Sequence, residues 1–284
     1  MNNQKQITEK QNDAKLLDCQ YASRVLFNRA EKYSYLATAC IILSTLCIFI
    51  TGEKTSIIIP TILDIFLIVF GVFMNKSQSK AAELRQYFDA VVLGINEHNY
   101  SDAELCNIYS TVFAITTKNS SEHAIQVKNS GRDFPPGVKN WYEFSKEFHD
   151  NDAVFECQKQ NCWWNDKLCK CRLKLTTAAF VFSLFLYGIA IHLLQINLFQ
   201  AVFCLIGLLI GLAEQIYENC KYILLSKTMD DVIKIPDVSK NVSQLEHLQT
   251  LINRRRELMV LEINWMHRKN SKIWSEEYEK ISRH

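Results

Sequence analysis

Catalytic signatures are missing from this 284-residue sequence. It holds no G-x-G-x-x-G, no Walker loop, no G-x-S-x-G and no H-E-x-x-H, and no carboxylate pair in a plausible pocket. An enzyme is therefore not expected, and neither is a cofactor. Strand signals are almost absent, which argues against an all-β architecture. Ten cysteines are present without one C-x-x-C pair. Cys157, Cys162, Cys169 and Cys171 cluster, but their spacing and that of His149 do not suit zinc, so no metal site is expected. Cys40, Cys47 and Cys204 fall in apolar runs, where Cys behaves as a small hydrophobe. The other seven are expected to be reduced thiols. The opening "MNNQKQITEK" lacks a secretory signal, so the first apolar run is expected to serve as the targeting signal.

What is present is four long apolar runs. A chain with 22% charged residues and a net charge of +2 would pass for a soluble protein. Its apolar residues, however, collect in Ser34–Gly52, Ser56–Met74, Leu175–Leu194 and Leu198–Tyr217. At about 1.5 Å per helical residue, each run covers about 30 Å, the hydrocarbon thickness of a bilayer. "CIILSTLCIFI" and "FCLIGLLIGLA" carry no polar stripe of the sort a soluble bundle needs. Lys and Arg collect before the first run, at both ends of the middle segment and after the fourth, while the connections "GEKT" and "QIN" hold only Lys54. The bias places both termini and the middle segment in the cytoplasm.

The expected fold is an all-α membrane protein, with four transmembrane helices as two hairpins and a cytoplasmic helical domain. Its parts are a helical arm (1–33), a hairpin (34–75), a cytoplasmic domain (76–174), a second hairpin (175–217) and a tail (218–284). "KAAELRQYFDAVVLGI" continues the second run as a helix, and Ser101 with Glu104 forms a capping box before another. "TTKNSSEHAIQVKNSGRDFPPG" reads as a long loop. Helical pattern resumes at Asp150 and leads into the third run. The tail predicts a helix over 239–270, and Trp265 and Trp274 need cover, from the middle segment or another subunit.

Asp64 stands near the middle of the second run. At mid-bilayer it costs about 2.5–3.5 kcal/mol on insertion scales unless it faces water, pairs or is protonated. It is a pore or gate candidate, together with Thr61 on its own helix and Thr38 and Thr45 on the first. Gly207 and Gly211 form a G-x-x-x-G suited to helix packing. Ordinary packing explains the Ser, Thr and Gly positions equally well. Four helices are too few to enclose a water path in one subunit, so a pore requires a homo-oligomer.

Two further stretches, "RDFPPGVKNWYE" (132–143) and "VFECQKQNCWWNDKL" (154–168), resemble signatures of the SMODS-associated four-transmembrane effectors. In that family a basic, Gly-containing loop leads to a Trp-Tyr pair, and a helix carries Cys-Gln, Asn and Trp. The resemblance implies a bacterial antiphage effector of the inner membrane, encoded beside a nucleotidyltransferase that makes cyclic oligonucleotides on infection. It also implies that the signal triggers damage to the cell's own membrane.

The residues have their own chemistry. Arg132, Lys139, Trp141 and Tyr142 suit phosphate contact and base stacking, which makes them nucleotide-binding candidates. Trp141 and Tyr142 equally suit the core of a small helical domain. The Trp163–Trp164 pair fits an interfacial belt or a buried junction, and Arg254-Arg255-Arg256 fits a solvated helix face, with attraction of anionic lipid or a nucleotide as the alternative. The expected partners are therefore the lipid bilayer, further copies of the chain and a cyclic oligonucleotide, with no DNA. The alternatives are a membrane-anchored scaffold and a small channel or transporter with Asp64 as its ion site.

Overall fold

The structure is a computed structural model that describes residues 1–47, 53–96, 99–194, 198–258, 273–274, 277–278 and 280. The connections expected at 48–52 and 195–197, residues 259–270 of the tail and Trp265 lie outside the described residues. Among the described residues the elements are helices, apart from an isolated bridge between Ser130 and Lys139.

The chain opens with α1 (Gln4–Lys10), capped reciprocally by Asn3 and Gln6. The arm is two helices rather than one, because Asp13 caps the next by accepting from the Lys15 amide at 2.9 Å. That next helix, α2, runs over Ala14–Leu46 and packs along α3 (Glu53–Leu93). At 1.5 Å per residue they are roughly 50 and 60 Å long, and α3 continues through Pro60.

The two helices change character along their length. In one half, Leu16, Leu17, Tyr21, Leu84 and Phe88 are buried together. Burying each such side chain contributes about 1.5–3 kcal/mol. Cys19 and Ser23 donate to the carbonyls of Leu84 (3.3 Å) and Ala81 (3.0 Å), and Ala22, Ala81 and Ala82 let the backbones come close. In the other half, Ile58, Ile62, Ile65, Phe66, Ile68 and Val72 are exposed. Here α2 and its C-terminal cap residue Cys47 bury a seam of small residues with Ala37, Cys40 and Ser44, and the helix turns Leu36, Ile42 and Leu43 outward. Among the described residues, the helix beginning at Ile57 in α3 is the one long and apolar enough to cross a membrane.

Ser101 and Glu104 form the expected capping box at the start of α4 (Asp102–Lys118). The long loop expected after it is shorter, because Ser120–Gln126 forms α5. Tertiary ties to α2 override its polar composition: His123 bonds Asp18 at 2.6 Å, and Tyr21 donates to the Asn119 carbonyl at 3.4 Å. After an irregular segment, α6 (Asn151–Leu194) runs without interruption into the third apolar stretch. It packs against α7 (Leu198–Ile233), which in turn meets α2 and α3.

A 3-10 turn at Val238–Lys240, entered through Asp237 in the left-handed region (φ 58°), leads to α8 (Val242–Glu257). The tail packs on the middle segment: Tyr278 donates to Glu156 at 2.5 Å and its ring lies 5.9 Å from that of Trp163. The reading of Arg254–Arg256 as a solvated face holds for Arg254, which is exposed, and is corrected for the other two, because Arg255 is buried and the Arg256 side chain is only 10% exposed. Position 256 continues the 245/248/249/252 face that α8 turns inward.

At Gly211 a Cβ would lie 2.8 Å from Ile41 Cδ1 of α2. Because that atom ends a flexible side chain, Gly211→Ala should be nearly neutral. Gly211→Leu should separate α7 from α2 and cost about 1–3 kcal/mol, read as a lower unfolding midpoint in detergent.

Candidate functional site

The irregular segment between α5 and α6 is built around Gly137. A Cβ there would sit 1.9 Å from the Asn129 carbonyl oxygen, so only glycine fits. The Gly137, Val138 and Lys139 amides donate to the carbonyls of Ser130 (2.7 Å), Gln126 (2.9 Å) and Asn129 (3.0 Å). Arg24 of α2 clamps the turn from outside, donating to the Pro136 and Gly137 carbonyls at 2.9 and 3.1 Å. Ser130 donates to Asp133 from both its amide and its hydroxyl, which holds that carboxyl below its usual range.

The four nucleotide candidates on this segment part company. Arg132 is exposed and paired with Glu143, and Lys139 is exposed. Trp141 is 40% exposed, with the Arg85 guanidinium of α3 stacked 4.1 Å from its ring centre. Tyr142 points the opposite way. It is 3% exposed and its ring stacks on Phe88, so base stacking by Tyr142 is corrected to a core position. Neighbouring residues of the irregular segment thus face opposite ways, Trp141 outward and Tyr142 inward.

Inside, the Tyr142 hydroxyl enters a buried polar cluster. It donates to Asp89 Oδ1 at 2.7 Å and accepts from Asn161 Nδ2 at 2.9 Å. Asp89, on α3, has no exposed surface. Its Oδ2 accepts from Arg256 Nη2 at 2.7 Å and from Gln249 Nε2 at 3.2 Å, both on α8. Arg256 also reaches Asn161 Oδ1 at 3.4 Å, and Arg255 donates to the Asn161 carbonyl at 3.2 Å. Gln158 of α6 donates to Gln249 Oε1 and to the Leu245 carbonyl. From the far side, Gln11 exchanges two hydrogen bonds with the Tyr142 backbone.

Burial, reinforced by the Asp89 charge, pushes the Tyr142 hydroxyl well above its ordinary pKa, so it stays a proton donor. For Arg256, burial opposes the charge but neighbouring Asp89 more than offsets it. Burial likewise raises Cys157, which stays a thiol. The cluster has hydrogen-bonding and ionic capacity but no nucleophile or water-exposed base. Among the described residues no group of His, Cys, Asp and Glu could hold a metal. The described cysteines are free thiols, and the side chains of Cys169, Cys171 and Cys204 lie outside the described set.

The motif residues Gln158, Asn161 and Tyr142 therefore converge, whereas no motif points to their partners Asp89 and Gln249 or to a stacking role for Arg85, and Arg256 reads in the sequence as part of a solvated face. One signal was available: Asp89 follows Arg85 by one helical turn beside the apolar positions Leu84, Phe88 and Val92.

The second group of candidates lies in the apolar halves. Asp64 is half-buried and accepts from Ser44 Oγ of α2 at 3.4 Å. Thr38, Thr45 and Thr61 donate to the carbonyls four residues back, each at 2.8 Å. Thr38 and Thr61 are exposed. Gly207 lies in α7 one turn before Gly211, and its surroundings are outside the described set.

Removing one partner of a buried ion pair costs about 3–5 kcal/mol, because the other charge is left uncompensated. Asp89→Ala should therefore destabilise the fold by that amount in denaturant titration. Asp89→Ala/Arg256→Met should recover much of the loss.

No curated protein and no solved structure matches the chain. A family model does, that of the SMODS-associating 4TM effector domain, over residues 5–278. The match takes in the clamped turn, the buried cluster and all the long helices. The chain belongs to the SMODS-associating 4TM effector family.

Proposed function

We propose that the chain is an oligomerising effector that permeabilises the bacterial inner membrane when a cyclic oligonucleotide signals phage infection. Family membership gives the class. In this reading the four apolar stretches span the bilayer as two hairpins, with both termini and residues 76–174 in the cytoplasm. The protein works without covalent chemistry.

The observation that carries the mechanism is the pair of hydrogen bonds made by the Tyr142 hydroxyl, donated to Asp89 on α3 and accepted from Asn161 on α6. Both helices continue into apolar stretches. The residue before Tyr142, Trp141, presents an aromatic surface to solvent near Arg85, with Lys139 exposed beside it in sequence. Cations and a π-face are what a cyclic oligonucleotide needs for its phosphates and bases. A ligand that draws on Trp141 pulls directly on Tyr142, and through it on α3 and α6. Neighbouring subunits then rearrange, and Asp64, Thr61, Thr38 and Thr45 line or gate the opening.

A second reading has one observation in its favour. The Ser44–Asp64 contact gives Asp64 a packing role within the protomer, as a membrane-anchored scaffold would require.

One measurement separates them: dye release from liposomes carrying the purified protein, across a panel of cyclic di- and trinucleotides. Release is expected with one nucleotide and is expected to fail in Asp64→Leu. Trp141→Ala should weaken the response by about 1–3 kcal/mol in apparent affinity, the contribution of one stacked base. Absence of release from folded, inserted protein under every condition would leave the scaffold.

A further inference from the structure

α8 is attached to the rest of the chain by a mixed interface. Leu245, Leu248 and Ile252 have no exposed surface, and the last two pack with Met229 and Val232 of α7 and Cys162 of α6. The remainder is polar: Gln249 and Arg256 on Asp89, Gln249 on Gln158, Arg255 and Arg256 on Asn161. At its last turn Glu257 accepts from Gln86 of α3 at 2.9 Å. Desolvation offsets much of the attraction in such contacts, so they fix register more than they add stability. The α2–α3 interface beside it rests instead on buried Leu, Ala and Phe.

The position of α8 matters as much as its chemistry. It packs against α3, α6 and α7, whereas among the described residues few close backbone approaches join α3 to α6 directly. Between those two lie Tyr142 and the inward face of α8. Tyr142 also shares two of Arg256's partners, since Asp89 and Asn161 each bond the tyrosine hydroxyl as well as the guanidinium, while a third, Asn253, lies on α8 itself. Withdrawing Tyr142 leaves Asp89 short of a donor and Asn161 short of an acceptor. The site that orients Arg256 is then no longer fixed.

We infer that α8 is a removable brace, an intramolecular restraint that ties α3 to α6 at the ends remote from their apolar stretches and is released when Tyr142 leaves Asp89 and Asn161. The short connection through Asp237 and the 3-10 turn keeps α8 tethered to α7 once it is free. As the restraint on a pore, α8 rests on the effector reading. As a separable element, it does not.

Hydrogen exchange on the full chain in nanodiscs tests this without any permeability readout. Tyr142→Phe keeps the ring on Phe88 and removes only the hydroxyl, and Asp89→Asn keeps the shape and removes the charge. In either variant, amides of 243–257 should exchange at least ~10-fold faster while those of 16–30 in α2 keep their protection, the pattern of a local opening. Unchanged exchange in α8 in both variants would overturn the inference. So would equal acceleration of α2 and α8, which would make α8 one more part of a single cooperative core. If α8 opens selectively but no nucleotide releases dye from liposomes, the effector reading fails and the brace stands.

Discussion

A carboxylate without exposed surface cannot be left alone, and Asp89 dictates much of what surrounds it. Its oxygens take donors from Tyr142, Arg256 and Gln249, which come from an irregular segment and from the tail helix. Those donors need acceptors and donors of their own, which Asn161, Gln158 and Gln11 supply. Satisfying one buried charge thus recruits α1, α3, α6, α8 and the turn at Gly137. Partial satisfaction would be worse than an apolar core, so the cluster works as a unit. An apolar set of the same volume would hold the helices together at least as well. What the polar set adds is a defined geometry with defined partners.

The rest of the molecule divides along its long helices. The same two rods, α2 and α3, bury Leu, Tyr and Phe at one end and expose Ile, Phe and Val at the other. Nothing in the backbone marks the change. It lies in what surrounds the rods: α1, α4 and the clamped turn enclose one end, while among the described residues α7 is what approaches the other. For a member of this family the uncovered end is what a bilayer would cover. Within it the small-residue seam of α2 and the glycine at 211 bring helices close, as hydrocarbon surroundings favour.

Much of the helical plan was legible in the sequence. The period of Leu84, Phe88, Val91 and Val92 announced that α3 runs past its apolar run, and Ser101 with Glu104 marked the start of α4. Both signals are local, and local signals survive folding. α5 was not legible, because Ser, Asn and His read as loop formers until Asp18 and Tyr21 of α2 are known to hold them. The buried cluster was half legible. Its motif residues stood out, but the pairing of Asp89 with Tyr142 crosses 53 positions, and nothing in the chemistry of a Trp-Tyr pair says which ring turns inward. Arg256 looked solvated because three arginines in a row usually are. Only the phase of Leu245, Leu248 and Ile252 separates Arg254, which is exposed, from Arg255 and Arg256, which are not.

The continuity of α3 has a mechanical consequence. From Asp89 to Asp64 the helix is unbroken, through 25 residue steps that carry it about 38 Å. A stiff rod pivoting at one end converts angle into distance at the other. A tilt of roughly 5° at Asp89 would carry Asp64 sideways by about 3 Å, comparable to the length of a hydrogen bond. The Ser44–Asp64 contact, already long at 3.4 Å, would not survive that displacement. The chain thus has a lever arm whose short-range chemistry sits at the fulcrum, and whose far end magnifies a motion too small to disturb the packing around the pivot.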